Sequence, residues 1–131
     1  NDWHLVDLPG YGFAKTARSN RHKWMKMIKD YMENRNSLLY VFQLIDSRIP
    51  PQAIDINFIN WMGERGIPFV IVYTKNDHPR QNKGNRIAFE KELLKTWEEL
   101  PPRFITSAAK NEGGEEILRF IEETNKAMLE L

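Results

Sequence analysis

The chain has no cysteine, which excludes a disulfide framework and any thiolate metal site. It has no apolar run of roughly 18 residues, the length at which a helix could span a bilayer. Its first residues, Asn1, Asp2, Trp3 and His4, lack the basic-then-apolar order of a secretion signal. A soluble, cytoplasmic, globular domain with no membrane partner is the expectation. Acidic residues are missing from one region altogether: none stands between Leu8 and Lys29, where Lys15, Arg18, Arg21, Lys23, Lys26 and Lys29 accumulate. The C-terminal stretch is the reverse, carrying Glu112, Glu115, Glu116, Glu122, Glu123 and Glu130. A net charge of +1 hides this asymmetry, which hints at an anionic partner at one end. His4, His22 and His78 are too widely spaced to suggest a metal cluster, and no candidate general base stands out.

At 131 residues the chain can bury a real core. "SLLYVFQLID" (residues 37–46) and "PFVIVYTKND" (residues 68–77) are continuous apolar runs, the pattern of strands covered on both faces of a parallel sheet. "WHLV" (residues 3–6) and "RFIT" (residues 103–106) read as shorter strands. Helical periodicity lies between and after them. One stripe holds Trp24, Met25, Ile28, Tyr31 and Met32, and a second runs from about Gln52 to Gly63. A third holds Phe89, Leu93, Trp97 and Leu100, and the last opens near Gly113 with Ile117, Phe120, Ile121 and Met128. The alternation predicts an α/β three-layer sandwich around a mostly parallel sheet, with residues 1–131 forming one domain.

Ligands of such sheets bind at the carboxyl ends of the strands, and three of those ends are polar. The first is Asp7-Leu8-Pro9-Gly10 followed by Tyr11, the second Thr74-Lys75-Asn76-Asp77, the third Thr106-Ser107-Ala108. An aspartate at a strand tip can hold Mg²⁺ through a bound water. A glycine just after it lets a backbone N–H approach a phosphate. Asp77 could accept the two N–H groups that guanine presents along one edge and adenine does not. Charge-assisted bonds of that kind contribute about 1.5–3 kcal/mol each. Lys75 could lay its methylene stem over the same base, and the Ser107-Ala108 backbone could face the base carbonyl.

Taken together, Asp-x-Pro-Gly, Thr-Lys-x-Asp and Thr-Ser-Ala on successive strand ends resemble the third, fourth and fifth motifs of a P-loop GTPase. "LVDLPGYGFAK" (residues 5–15), "LIDSRIPPQAIDINFINWM" (residues 44–62) and "VIVYTKND" (residues 70–77) are similar to the EngB family of bacterial GTPases over nearly the whole chain. That resemblance implies a GTP- and GDP-binding protein with a magnesium cofactor, monomeric when intact. It also implies GTP hydrolysis coupled to assembly of the large ribosomal subunit and to normal cell division. The family's glycine-rich phosphate loop and the threonine loop after it are not in these residues, so the chain resembles the C-terminal two-thirds of a G domain, incomplete at its N-terminal side. In the family's sheet the absent first strand lies between the strands ending at Asp7 and Asp46. Direct pairing of residues 3–6 with residues 39–44, exchange between copies, or aggregation is then expected. A chain of this extent is expected to bind nucleotide weakly and to be inactive alone.

Tyr11 stands where some GTPases carry a glutamine that orients water, so slow intrinsic hydrolysis, relieved by a partner or a potassium-type cation, is implied for the intact protein, unless Tyr11 is simply a packing aromatic. No catalytic residue is assigned. The basic segment around Lys15, Arg18, Arg21, Lys23 and Lys26 is a candidate ribosomal RNA contact or simply a solvated helix face. Trp24 could stack on a base, but its helical spacing favours the core. Arg48 could pair with Asp46 or meet a partner. Two other readings stay open: a remnant without nucleotide that serves as a ribosome-interaction module, and an unrelated α/β binding domain.

Overall fold

The computed structural model describes residues 3–8 and 18–129, with the side chains of residues 18–21 and 81 left aside. The described elements are, in chain order, α1 (Arg18–Asn34), β1 (Val41–Asp46), α2 (Ala53–Glu64), β2 (Phe69–Thr74), α3 (Pro79–Leu93), β3 (Arg103–Ile105) and α4 (Gly114–Leu129). The three strands form a parallel sheet in the order β1-β2-β3. Val41 pairs with Phe69 and Asp46 with Thr74, so β1 and β2 end level with one another. Ile71 pairs with Arg103 and Tyr73 with Ile105.

β2 is the central strand, and its period of two explains why it reads as unbroken apolar sequence. Phe69, Ile71 and Tyr73 join one cluster with Ile45 of β1, Ile28 and Met32 of α1, Phe58, Ile59 and Met62 of α2, and Phe89 and Leu93 of α3. Val70 and Val72 are also buried; by alternation they face the other side of the sheet. There Phe120 of α4 meets Tyr40, Phe42 and Phe104 edge-on, at centroid distances of 5.0, 6.3 and 5.5 Å. Helices on both faces of a parallel sheet are the expected three layers.

Several boundaries differ from the sequence reading. Residues 3–6 are not a strand: residues 3–8 have no regular structure, and Leu5 is 72% exposed. A strand needs a ladder partner, and this segment has none among the described residues, so neither is it paired with β1. The third helix ends at Leu93 rather than near Leu100. Pro101 and Pro102 would stop a helix only near Leu100; the chain leaves the helix earlier, at Leu94. Trp97 and Leu100 nevertheless still reach the core. Met128, expected on the buried stripe of α4, is 48% exposed. Trp24 is half-buried and is not among the residues packed against the core, where its neighbour Met25 is.

Candidate functional site

The polar strand ends converge at the carboxyl edge of the sheet. Thr74 closes β2, and the chain then turns at Lys75, a non-glycine residue at φ 57°. That conformation is costly for a side-chain-bearing residue, so the turn must be held from outside. Buried Asn82 of α3 does so, its Nδ2 donating to the Lys75 carbonyl at 3.0 Å. The next amide, Asn76 N–H, donates to the Thr106 carbonyl at 3.0 Å. The Thr106 N–H returns to Tyr73 O at 2.8 Å, and its hydroxyl to the same oxygen at 2.9 Å. Thr74-Lys75-Asn76-Asp77 and Thr106-Ser107-Ala108 are thereby fastened together, although the two motifs sit on different strands.

Side chains lock the same pair of loops. Ser107 is fully buried, and its hydroxyl donates to the Asp77 carboxylate. Ser107 exchanges two backbone bonds with Glu112, at 2.9 and 3.1 Å, and its Oγ accepts the Lys110 N–H at 3.2 Å. The loop closes on Gly113 at φ 89°, where a Cβ would collide with the Ile105 carbonyl and Thr106. Asp77 remains half-buried while Lys75 and Ala108 are exposed. A partly desolvated carboxylate, a long cation and the exposed Ala108 therefore border one open edge.

The neighbouring strand contributes charge. Asp46, at the tip of β1, receives Arg48 through Nη2 at 2.9 Å, Nε at 3.1 and 3.3 Å, and the Arg48 backbone N–H at 2.9 Å. Lys75 Nζ lies 3.6 Å from Asp46 Oδ2. Arg48's hydrogen bonds are the main reason the Asp46 carboxyl is held low, at about 2. Of the two roles considered for Arg48, the structure shows the Asp46 pair. Beneath this edge, a small cavity between the end of β1, the start of α2 and α3 is lined by Ser47, Gln52, Asn85 and Arg86 among others. Ser47 Oγ and Arg86 Nε are buried there without a partner, a natural seat for a bridging water.

Of the other sequence-predicted residues, Asp7 is exposed and Leu8 half-buried. Pro9, Gly10, Tyr11 and Lys15 lie outside the described residues. Arg18 and Arg21 belong to α1, and Lys23 and Lys26 stand exposed on it. Lys29 turns aside, its ammonium 5.0 Å over the Trp61 ring. Among the described residues no group of three or more His, Asp or Glu could hold a metal ion. Asp7 alone offers one carboxylate, which does not make a Mg²⁺ site. Asn82 escaped sequence reading; its signal is a pair of asparagines, Asn82 and Asn85, three apart on one helix face.

No family model matches the chain. It is similar to curated proteins, each named "Probable GTP-binding protein EngB". That of Bacteroides fragilis (strain YCH46) is 46% identical over 133 residues, 98% of this chain and 65% of the relative. That of Porphyromonas gingivalis (strain ATCC 33277) is 48% identical over 130 residues, with the same shares. That of Cytophaga hutchinsonii is 46% identical over 126 residues, 95% of this chain and 63% of the relative. The chain thus spans about 65% of the length of the first of these curated relatives.

Proposed function

From the similarity to proteins named EngB, we propose that the chain is part of an EngB-type protein and that residues 1–131 form the base-reading part of a G domain that binds and hydrolyses GTP. The observation that supports this most is the joining of two strand ends through Ser107 and Asp77. In this reading Asp77 accepts the ring N–H and the exocyclic amine of guanine. Ser107 holds the carboxylate in place, and Lys75 covers the base with its stem. The backbone around Ala108 faces the base carbonyl, while Thr74, Asn76 and Thr106 fix the turn. Adenine offers an acceptor where Asp77 needs a donor. One mismatched charge-assisted bond of about 1.5–3 kcal/mol gives roughly ten- to a hundredfold discrimination.

Phosphate contacts belong to Asp7, Leu8, Pro9, Gly10 and Tyr11 together with residues outside this chain. Magnesium would accompany those phosphates, with Asp7 reaching it through a water. The described residues do not form its coordination shell, and no step is assigned to it. The exposed Lys23 and Lys26, with Lys15, Arg18 and Arg21, are proposed to meet ribosomal RNA of the large subunit in the cytoplasm, tying the GTP cycle to subunit assembly and cell division. The acid-free run supports that contact. Replacing both Lys23 and Lys26 should lower the salt slope of RNA binding by about 2; an unchanged slope removes them from the interface.

The test of the base reading is competition on the full-length protein. Guanine nucleotides should displace a fluorescent GDP at least tenfold more effectively than adenine nucleotides. Equal displacement would favour a generic α/β binding domain.

A further inference from the structure

Lys75 is gripped at two points by residues outside its own motif. At the backbone, Asn82 Nδ2 donates to its carbonyl at 3.0 Å, and Asn82 is 6% exposed. That bond fixes the turn at φ 57° and with it the direction in which the side chain leaves. At the far end, the ammonium lies 3.6 Å from Asp46 Oδ2. Asp46 is itself immobilised, because Arg48 holds it with both Nη2 and Nε, at 2.9 and 3.1 Å, and caps Oδ1 with its backbone N–H at 2.9 Å. A lysine carries four rotatable bonds, and pinning it costs side-chain entropy that an unassisted base contact would have to supply. Here the neighbouring strand supplies the anchor instead.

We propose that Asp46 is a positioning residue for base recognition: its carboxylate draws the Lys75 ammonium toward β1 and lays the methylene stem across the edge where Asp77 presents its oxygens. Asp46 touches no base atom and acts only through Lys75. The register makes this available, since Asp46 and Thr74 are paired and Lys75 is the next residue. Arg48 keeps the arrangement rigid from the solvent side, where its own side chain is 59% exposed. The inference rests on the guanine-reading role proposed above for the Thr74–Asp77 turn.

A double-mutant cycle on the full-length protein tests it: Asp46→Asn, Lys75→Met and the two combined, with GDP affinity measured by calorimetry and urea midpoints alongside. Asp46→Asn keeps an oxygen for Arg48 but removes the charge that holds Lys75. It should weaken GDP two- to fivefold, the scale of a partly exposed ion pair. Lys75→Met should weaken it further, and the double variant should bind no worse than Lys75→Met alone. Additive losses, or unchanged affinity in Asp46→Asn, would overturn the proposal, because a merely structural Asp46 would not need Lys75 to act. An Asp77→Asn arm separates the two readings. If it leaves guanine preference intact, the base reading fails and Asp46's role with it. If it alters preference while the cycle is additive, only Asp46's role fails.

Discussion

The Ser107 hydroxyl donates to the Asp77 carboxylate across thirty positions of sequence. Ser107 is fully buried, whereas Asp77 is only half so. One end of the bond is therefore fixed by the core, and the other faces the open edge of the sheet. In the proposed base reading the carboxylate is oriented before a base arrives, and preorganisation of this kind strengthens binding by removing an ordering cost.

Ser107→Ala should therefore act mainly on recognition. Asp77 loses its donor and becomes free to rotate, and hydrogen bonds to charged groups contribute about 1.5–3 kcal/mol. GDP binding to the full-length protein should weaken about tenfold or more by calorimetry, with little change in secondary structure. Wild-type affinity in this variant would show that the carboxylate needs no anchor.

Two glycines should respond with opposite signs. Gly113 sits at φ 89° with the Ile105 carbonyl where a Cβ would go, so Gly113→Ala combines backbone strain with a clash and should cost about 2–4 kcal/mol. Gly84 lies inside α3 with nothing near a new Cβ, so Gly84→Ala should stabilise by about 0.5–1 kcal/mol. Urea midpoints moving the same way in both variants would contradict the described geometry.

The Asp46–Arg48 pair sets a pH dependence. The folded carboxyl is held at about 2, below its ordinary 3.8. A depressed carboxylate stabilises the fold above the unfolded value, and that contribution is lost as pH falls through the folded one. The stability gap between wild type and Asp46→Asn, from urea midpoints, should be constant above about pH 4 and shrink toward about pH 2. A gap that widens on acidification would exclude the pair as its source.

The layered architecture and the site motifs were legible because they depend on local patterns. Unbroken apolar runs mark β1 and β2, and the residues just past their ends form the proposed site. Asp77 and Ser107 could each be read as candidate site residues, but the bond between the Ser107 hydroxyl and the Asp77 carboxylate could not. What could not be read was tertiary. Residues 3–6 have strand composition, but a strand exists only where a neighbour completes its ladder. The third helix shows period to Leu100 but ends at Leu93, and Trp97 and Leu100 reach the core from the irregular chain after it. Asn82 is ordinary as a helix residue; its importance comes from a carbonyl seven positions away in a left-handed turn.

The most direct test of the account is the nucleotide preference of Asp77→Asn in the full-length protein. An asparagine amide offers a donor where the carboxylate had an acceptor, which suits the exocyclic carbonyl of xanthine and clashes with the guanine amine. Competition against a fluorescent nucleotide, with GDP and XDP measured on wild type and variant, reads this in one experiment. Wild type should prefer GDP, and the variant should reverse the order, with a combined change of about a hundredfold or more for two altered bonds. A variant that keeps the wild-type preference for GDP would remove Asp77 from the base and contradict the account.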